Sequence, residues 1–377
     1  MIKSFEGARG LAAVLVALYH FGVASKYIPV VEYGYLFVDL FFVLSGFVMT
    51  ATYESRIAKF ADIKPYMMRR FGRLFPLMIF STLLFVLAYN SAMWIKSEAA
   101  SMGYANLFKN PGALKYIIPS IGEVVGAVTL TQGMGFFDKP ILNQVSWSIG
   151  TEFYTYVLFA VICAALRGRN RTIVFTLLSV TGMIVTAWAS LDLHGCVALR
   201  DCNNITFDFG FARCVGAFFL GALAYRLNQA ISFDPMTIQM LTLLLLIAFF
   251  SLIGAHPLIA FGFPFVCALL VIAISRDTGF LATLLQRKPF QVLGERSFSI
   301  YMLHPAVLVF FSPIATMVNR TGATSQGILL SAAAIALFLA VVVAASAWTY
   351  AWIEAPCRAW FNRAADNSQI KRRIALP

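Results

Sequence analysis

Apolar residues run almost unbroken through ten stretches of this chain, near 8–25, 33–52, 74–93, 146–166, 172–190, 206–225, 236–254, 256–275, 298–315 and 328–353. Each is long enough to cross the hydrocarbon core of a bilayer at helical rise. A helix satisfies every backbone N–H and C=O within its own segment, which the bilayer interior demands. An eleventh stretch, 117–133 (IIPSIGEVVGAVTLTQG), holds Glu123, several small residues and little leucine, and reads as a re-entrant or interfacial helix. The pattern predicts one all-α integral-membrane domain over 1–377, with short loops and no appended soluble domain. One long segment, 94–145, stands out as a candidate lid or acceptor-binding surface.

Composition and charge fix the class and the orientation. A chain that is 60% hydrophobic and 12% charged carries more apolar surface than a soluble domain can hide. With both termini cytoplasmic, 21 of the 29 Lys and Arg fall on the cytoplasmic side, 7 on the other, and Arg213 within a span. That asymmetry is what the positive-inside rule requires; treating 117–133 as a full span would move the later basic loops to the wrong side. Orientation and contact with anionic membrane lipid account for the net charge of +12, and no nucleic-acid-binding pattern accompanies it. The first apolar run is followed directly by another span and lacks a clear cleavage site, so it is no cleavable signal peptide. Of six cysteines, only Cys196 and Cys202 share a loop, as a disulfide or as two thiols. No Cys/His spacing points to a metal site, so no metal is expected.

The chemistry lies in polar residues at membrane depth, which are costly there and therefore functional candidates. Arg9 and His20 bracket an apolar run in the first span. Eleven helical steps return to within about 20° of the starting face and rise about 16 Å. Asp39, in VDLFFVLSGFVM, lies in the neighbouring span, where it can approach His20 and fix its tautomer, or simply cap the helix start. Arg69, Arg70 and Arg73 cluster at a helix entrance, suiting a polyphosphate as well as plain anchoring. Glu152 follows in WSIGTEFYTY. Arg213 is the one basic residue inside a span, with Glu152 or Asp208 as its expected partner. His304, in SFSIYMLHP, is a second embedded imidazole that serves either chemistry or packing.

Taken together these residues resemble the membrane-bound acyltransferase-3 family, bacterial enzymes that O-acylate envelope sugars, with homologues in animals. Arg9 and His20 resemble its arginine–histidine signature. VDLFFVLSGFVM (38–49), RRFGRLFP (69–76), WSIGTEFYTY (147–156), the Arg213 segment and SFSIYMLHP (297–305) resemble its successive blocks, in order, over about residues 4–355. The resemblance implies that His20 and Arg9 are the essential pair, that Arg69, Arg70 and Arg73 form the donor-side basic motif, and that Asp39 and Glu152 are the family's acidic residues. One departure is that some members carry an extra soluble esterase-like domain after the last span.

The expected reaction is acyl transfer, acetyl in the first instance, from cytoplasmic acetyl-CoA to a hydroxyl of an exopolysaccharide, an O-antigen or a lipid-linked sugar. The setting is a bacterial inner membrane, with polysaccharide assembly proteins as possible partners. His20 acts as general base or as acyl-accepting nucleophile, Asp39 or Glu152 orients it, Arg9 and the cytoplasmic arginines hold the donor, and Arg213 stabilises the oxyanion. The rival reading is a transporter or flippase for a glycan or anion, against which stands the absence of visible repeats or paired broken spans. Cysteines introduced at Asp62 and Asn170 should resist an impermeant thiol reagent in intact cells while one at Asn110 reacts. Labelling at position 62 would reverse the predicted orientation.

Overall fold

The computed structural model describes residues 2–104, 115–232, 234–320 and 324–374, so Lys109 and the labelling position Asn110 lie outside the described residues. The fold is all-α. Among the described residues, nine helical segments are long and apolar enough to cross a membrane. The tenth expected span is α1 (Lys3–Phe21), whose first turns hold Lys3, Glu6 and Arg9 and leave an apolar stretch only between Arg9 and His20. It stops at Gly22, whose positive φ of 71° lets its N–H reach the carbonyls of Leu18 and Tyr19. A short turn, α2 (Pro29–Glu32), leads into α3 (Phe37–Tyr53). Next comes α4 (Ile63–Ala99), 37 residues long, which outreaches the predicted span 74–93 at both ends.

The eleventh stretch forms α5 (Ile121–Thr129), nine residues opened by a reciprocal cap between Ser120 and Glu123 and closed by Leu130 at positive φ. It is too short to cross a bilayer. Its exposed Ile121, Val124, Val125 and Val128 fit the interfacial reading. The chain then dips inward. Buried Gln132 donates to Ser146, and buried Asn143 donates to the carbonyl of Met302 at 3.1 Å, which pins this dip to the bundle.

The remaining helices are α6 (Trp147–Ala165), α7 (Gly168–Trp188), α8 (Cys196–Leu199), α9 (Gly210–Ala230), α10 (Pro235–Leu252), α11 (Phe263–Ile274), α12 (Phe280–Leu285), α13 (Lys288–Glu295), α14 (Ser297–Arg320), α15 (Ser325–Thr349) and α16 (Ala355–Ile374). The eighth predicted span, 256–275, is only partly α-helical: a 3-10 segment, Pro257–Gly262, precedes α11. Asp234 starts α10 by accepting from the Thr237 amide, with Pro235 in the first turn.

Contacts between loops sort the helix ends into two sets. At the arginine-rich end, Glu54 after α3 pairs with Arg171 of α7 at 2.9 Å and with Arg226 of α9. The amides of Lys3 and Ser4 donate to Asp277, after α11. At the opposite end, Cys196 and Cys202 form a disulfide, and Tyr35 before α3 donates to the Cys202 carbonyl at 3.1 Å. This alternation is the one the charge pattern predicts.

Helix packing depends on small residues, because lipid supplies no hydrophobic drive between spans. A Cβ on Gly46 of α3 would sit 1.8 Å from the Phe218 carbonyl oxygen, and one on Gly221 of α9 would sit 2.0 Å from that of Val43. The two backbones therefore touch. Gly46→Leu or Gly221→Val should lower the thermal unfolding midpoint in detergent by the equivalent of about 1–3 kcal/mol or more, whereas Gly262→Ala, with nothing within 4 Å of its Cβ, should be near neutral.

Candidate active site

Parallel packing of α1 and the α13–α14 segment brings the two embedded histidines together. Gly10 seats against Gly294, a Cβ there lying 2.5 Å from its backbone nitrogen. Ten residues further along each chain stand His20 and His304, and across the break between α13 and α14 at Arg296 the two imidazoles come into contact. His304 Nε2 lies 3.2 Å from His20 Nδ1, which also lies 2.9 Å from the Val16 carbonyl. A carbonyl only accepts, so His20 carries its proton on Nδ1 and leaves Nε2 free with a lone pair. His304 is fully buried behind it. His20 itself is exposed, to a cavity of about 240 Å³ that also meets Tyr89, Lys96, Gln144 and Ser312.

Asp39 does not reach His20, and Arg213 reaches neither Glu152 nor Asp208. The two bind each other. Arg213 donates from Nε to Asp39 Oδ1 and from Nη2 to Asp39 Oδ2, both at 2.9 Å. Asn203 adds a 2.9 Å bond to Asp39, and the carbonyls of Tyr35 and Ile205 take further guanidinium hydrogens. The guanidinium also lies over the Trp147 ring at 5.8 Å. Both residues are buried, and the paired, fully hydrogen-bonded state is the one in which such charges persist. Asp208 instead meets His194 at 2.5 Å.

Glu152 occupies a different place. It accepts from Ser45 and from Tyr156, and it lines a small cavity of about 50 Å³ with Arg9, Arg73, Ser148 and Tyr301. Arg9, Ser45 and Arg73 also line a larger cavity of about 440 Å³ that reaches Arg70 and Tyr53. Tyr53 in turn borders a third, of about 240 Å³, with Arg56, Arg69 and Asp366. Shared walls thus link three cavities from the arginine-rich end to Tyr301. There the row meets a partition. The Tyr301 hydroxyl shares a 2.7 Å bond with Ser148 and donates at 3.2 Å to the carbonyl of Val145, a residue lining the His20 cavity.

The three clustered arginines of α4 part company. Arg69 pairs with Asp366 of α16. Arg70 is buried, donates to the Tyr53 hydroxyl at 3.1 Å and lies over that ring, so it holds the wall. Arg73 has no ion-pair partner among the described residues and faces the same two cavities as Arg9, whose own partner is Glu6 at 3.5 Å.

Comparison with known proteins now decides the family. The family profile described as an acyltransferase domain matches residues 2–351. The chain belongs to the acyltransferase-3 family. Within it, this chain is 25% identical to the peptidoglycan O-acetyltransferase OatA of Listeria monocytogenes, over 83% of this chain and 50% of that protein. It is 24% identical to the O-acetyltransferase OatA of Staphylococcus aureus, over 82% of this chain and 51% of that one. The same identity holds with the putative peptidoglycan O-acetyltransferase YrhL of Bacillus subtilis, over 84% and 50%. The chain spans about half the length of these curated relatives. No solved structure matches it significantly.

Several groups in this candidate site escape a reading of sequence. Ser45, Ser148, Tyr156 and Tyr301 belong to residue types too common in apolar helices to stand out. Glu354, buried and bonded to Ser299 at 2.8 Å, did carry a signal: it is the lone charge ending the last apolar run. The ion pair gives a direct test of the revised pairing. Asp39→Asn or Arg213→Gln alone should each cost about 3–5 kcal/mol in thermal stability, and the double variant should cost less than their sum. Strict additivity would mean that the two side chains do not interact.

Proposed function

We propose that this protein is an O-acyltransferase, acting first as an acetyltransferase, that moves an acyl group from cytoplasmic acyl-CoA to a hydroxyl of a cell-envelope or exported polysaccharide. It works in a bacterial inner membrane with both termini cytoplasmic. One observation carries the reading: a row of arginine-lined cavities leads from one end of the bundle to Tyr301, and an accessible imidazole with a free Nε2 stands just beyond. The relatives named as O-acetyltransferases support the same chemistry.

In this scheme the donor's phosphates meet Arg69, Arg73 and Arg9, which offer guanidinium forks. The pantetheine arm runs past Glu152 and Ser45 and brings the thioester to Tyr301. His20 Nε2 takes the proton of the acceptor hydroxyl as its oxygen attacks the thioester carbonyl. The tetrahedral intermediate collapses by breaking the carbon–sulfur bond; the new ester leaves on the glycan, and the thiolate recovers the proton from the imidazolium. Val16 and His304 hold His20 in the required tautomer and orientation, a task the sequence had left to Asp39 or Glu152. The Asp39–Arg213 pair holds α3 against α9 and frames the site.

Purified protein with radiolabelled acetyl-CoA and glycan acceptor tests this. His20→Gln keeps a hydrogen bond to His304 but cannot take a proton at neutral pH, so transfer should fall by about 10²–10⁴-fold with donor binding retained. Wild-type turnover in that variant would make His20 structural. Arg73→Gln should weaken donor binding by about ten-fold or more, since a charge-assisted hydrogen bond is worth about 1.5–3 kcal/mol. Arg70→Gln should act through stability instead. Unaltered donor affinity in Arg73→Gln would reduce that arginine to a topology anchor. A transporter would consume no donor.

A further inference from the structure

The cavity that His20 faces has a charge of its own. Lys96 lines it from the last turns of α4 and, among the described residues, makes no ion pair and no side-chain hydrogen bond. No Asp or Glu lines this cavity, and Glu98, two positions on, is exposed elsewhere on the helix. Among the other cations that line cavities, Arg69 is answered by Asp366, Arg9 by Glu6 and Arg213 by Asp39, whereas Arg56, Arg70 and Arg73 share with Lys96 the lack of an ion pair among the described residues. A half-buried ammonium beside apolar walls, with no carboxylate facing it in the cavity, offers its charge to an anionic group that enters there.

The rest of the wall fits a sugar. Phe85 and Tyr89 stand one turn apart on the Lys96 face of α4, ring centroids 6.2 Å apart, and offer an aromatic surface for the C–H face of a pyranose. Gln144 and Ser312 supply neutral donors and acceptors on the facing elements. Resting on the acyltransferase reading above, we infer that this is the acceptor site and that it selects an acidic glycan: the sugar that receives the acyl group, or its immediate neighbour, bears a carboxylate that pairs with Lys96. Lys96 is then a specificity-determining residue. It acts on acceptor affinity and leaves the acyl-transfer step to His20.

The test maps the acylated product and the charge dependence together. Envelope glycans from cells expressing the protein are hydrolysed, and the acylated residue is located by mass spectrometry and NMR. The expected result is an acyl group on a uronic acid or other carboxylated sugar, or on the residue next to it. With purified protein and an acidic oligosaccharide acceptor from that glycan, Lys96→Gln should raise KM about ten-fold or more with kcat within about two-fold, and Lys96→Arg should restore it. Reduction of the acceptor's carboxylate to an alcohol should cost the wild type the same factor and cost Lys96→Gln nothing. Acyl groups found only on neutral sugars with neutral neighbours would overturn the inference while leaving the acyltransferase reading intact. A Lys96→Gln variant with unchanged KM would do the same. Absence of any acylated glycan and of donor turnover would overturn both.

Discussion

Placing a charge inside a bilayer costs more than almost any other choice a sequence can make, and this fold answers it at one point. Asp39 and Arg213 lie buried on two helices whose backbones touch, and two parallel hydrogen bonds join them. The exchange is reciprocal. The glycines at 46 and 221 let α3 and α9 come close enough for a two-pronged pair to form, and the pair fixes how far those helices can slide. Asn203 and the carbonyl of Tyr35 tie the connecting loops to the same pair. Two polar groups of the site are positioned by this pair of helices, Ser45 on α3 and Glu152 on α6, which packs against α9.

In the proposed function, binding rests on charges left unanswered. Arg73 faces a cavity without an ion-pair partner, and so does Lys96 at the far side of the partition. Both are half-buried, so their charges remain available to an anionic group that enters. The contrast between the closed Asp39–Arg213 pair and these open cations separates framework from binding surface within one helix bundle.

Much of the architecture was legible because the bilayer imposes it. Spans, the interfacial stretch at 117–133 and the sorting of loops follow from hydropathy and from the positions of Lys and Arg. Pairings were less legible, for a physical reason: several carboxylates compete for each cation, and sequence gives no distance between helices. Depth offered a clue that went unused. Asp39 sits in the first turn of α3 and Arg213 in the first turn of α9, so both lie at one level, whereas Glu152 lies further down α6. His20 and His304 likewise share a height once Gly10 is seated on Gly294. Arg69, Arg70 and Arg73 read as one motif, but Arg70 is turned about 100° from Arg69 and Arg73 stands about 6 Å further along the helix, so the three meet different surroundings.

The partition at Tyr301 has a consequence for the cell as a whole. A membrane that stores energy as an ion gradient cannot tolerate a water-filled passage from face to face, even a narrow one. The hydroxyl of Tyr301 is bonded to Ser148 and to the Val145 carbonyl, and it stands between the arginine-lined cavities and the one around His20. In the proposed reaction a flexible arm ending in an uncharged thioester has only this one ring to pass, whereas a hydrated ion needs a continuous file of water. On the proposed reading, such an arrangement passes an acyl group from one aqueous compartment to the other without discharging the electrical potential between them.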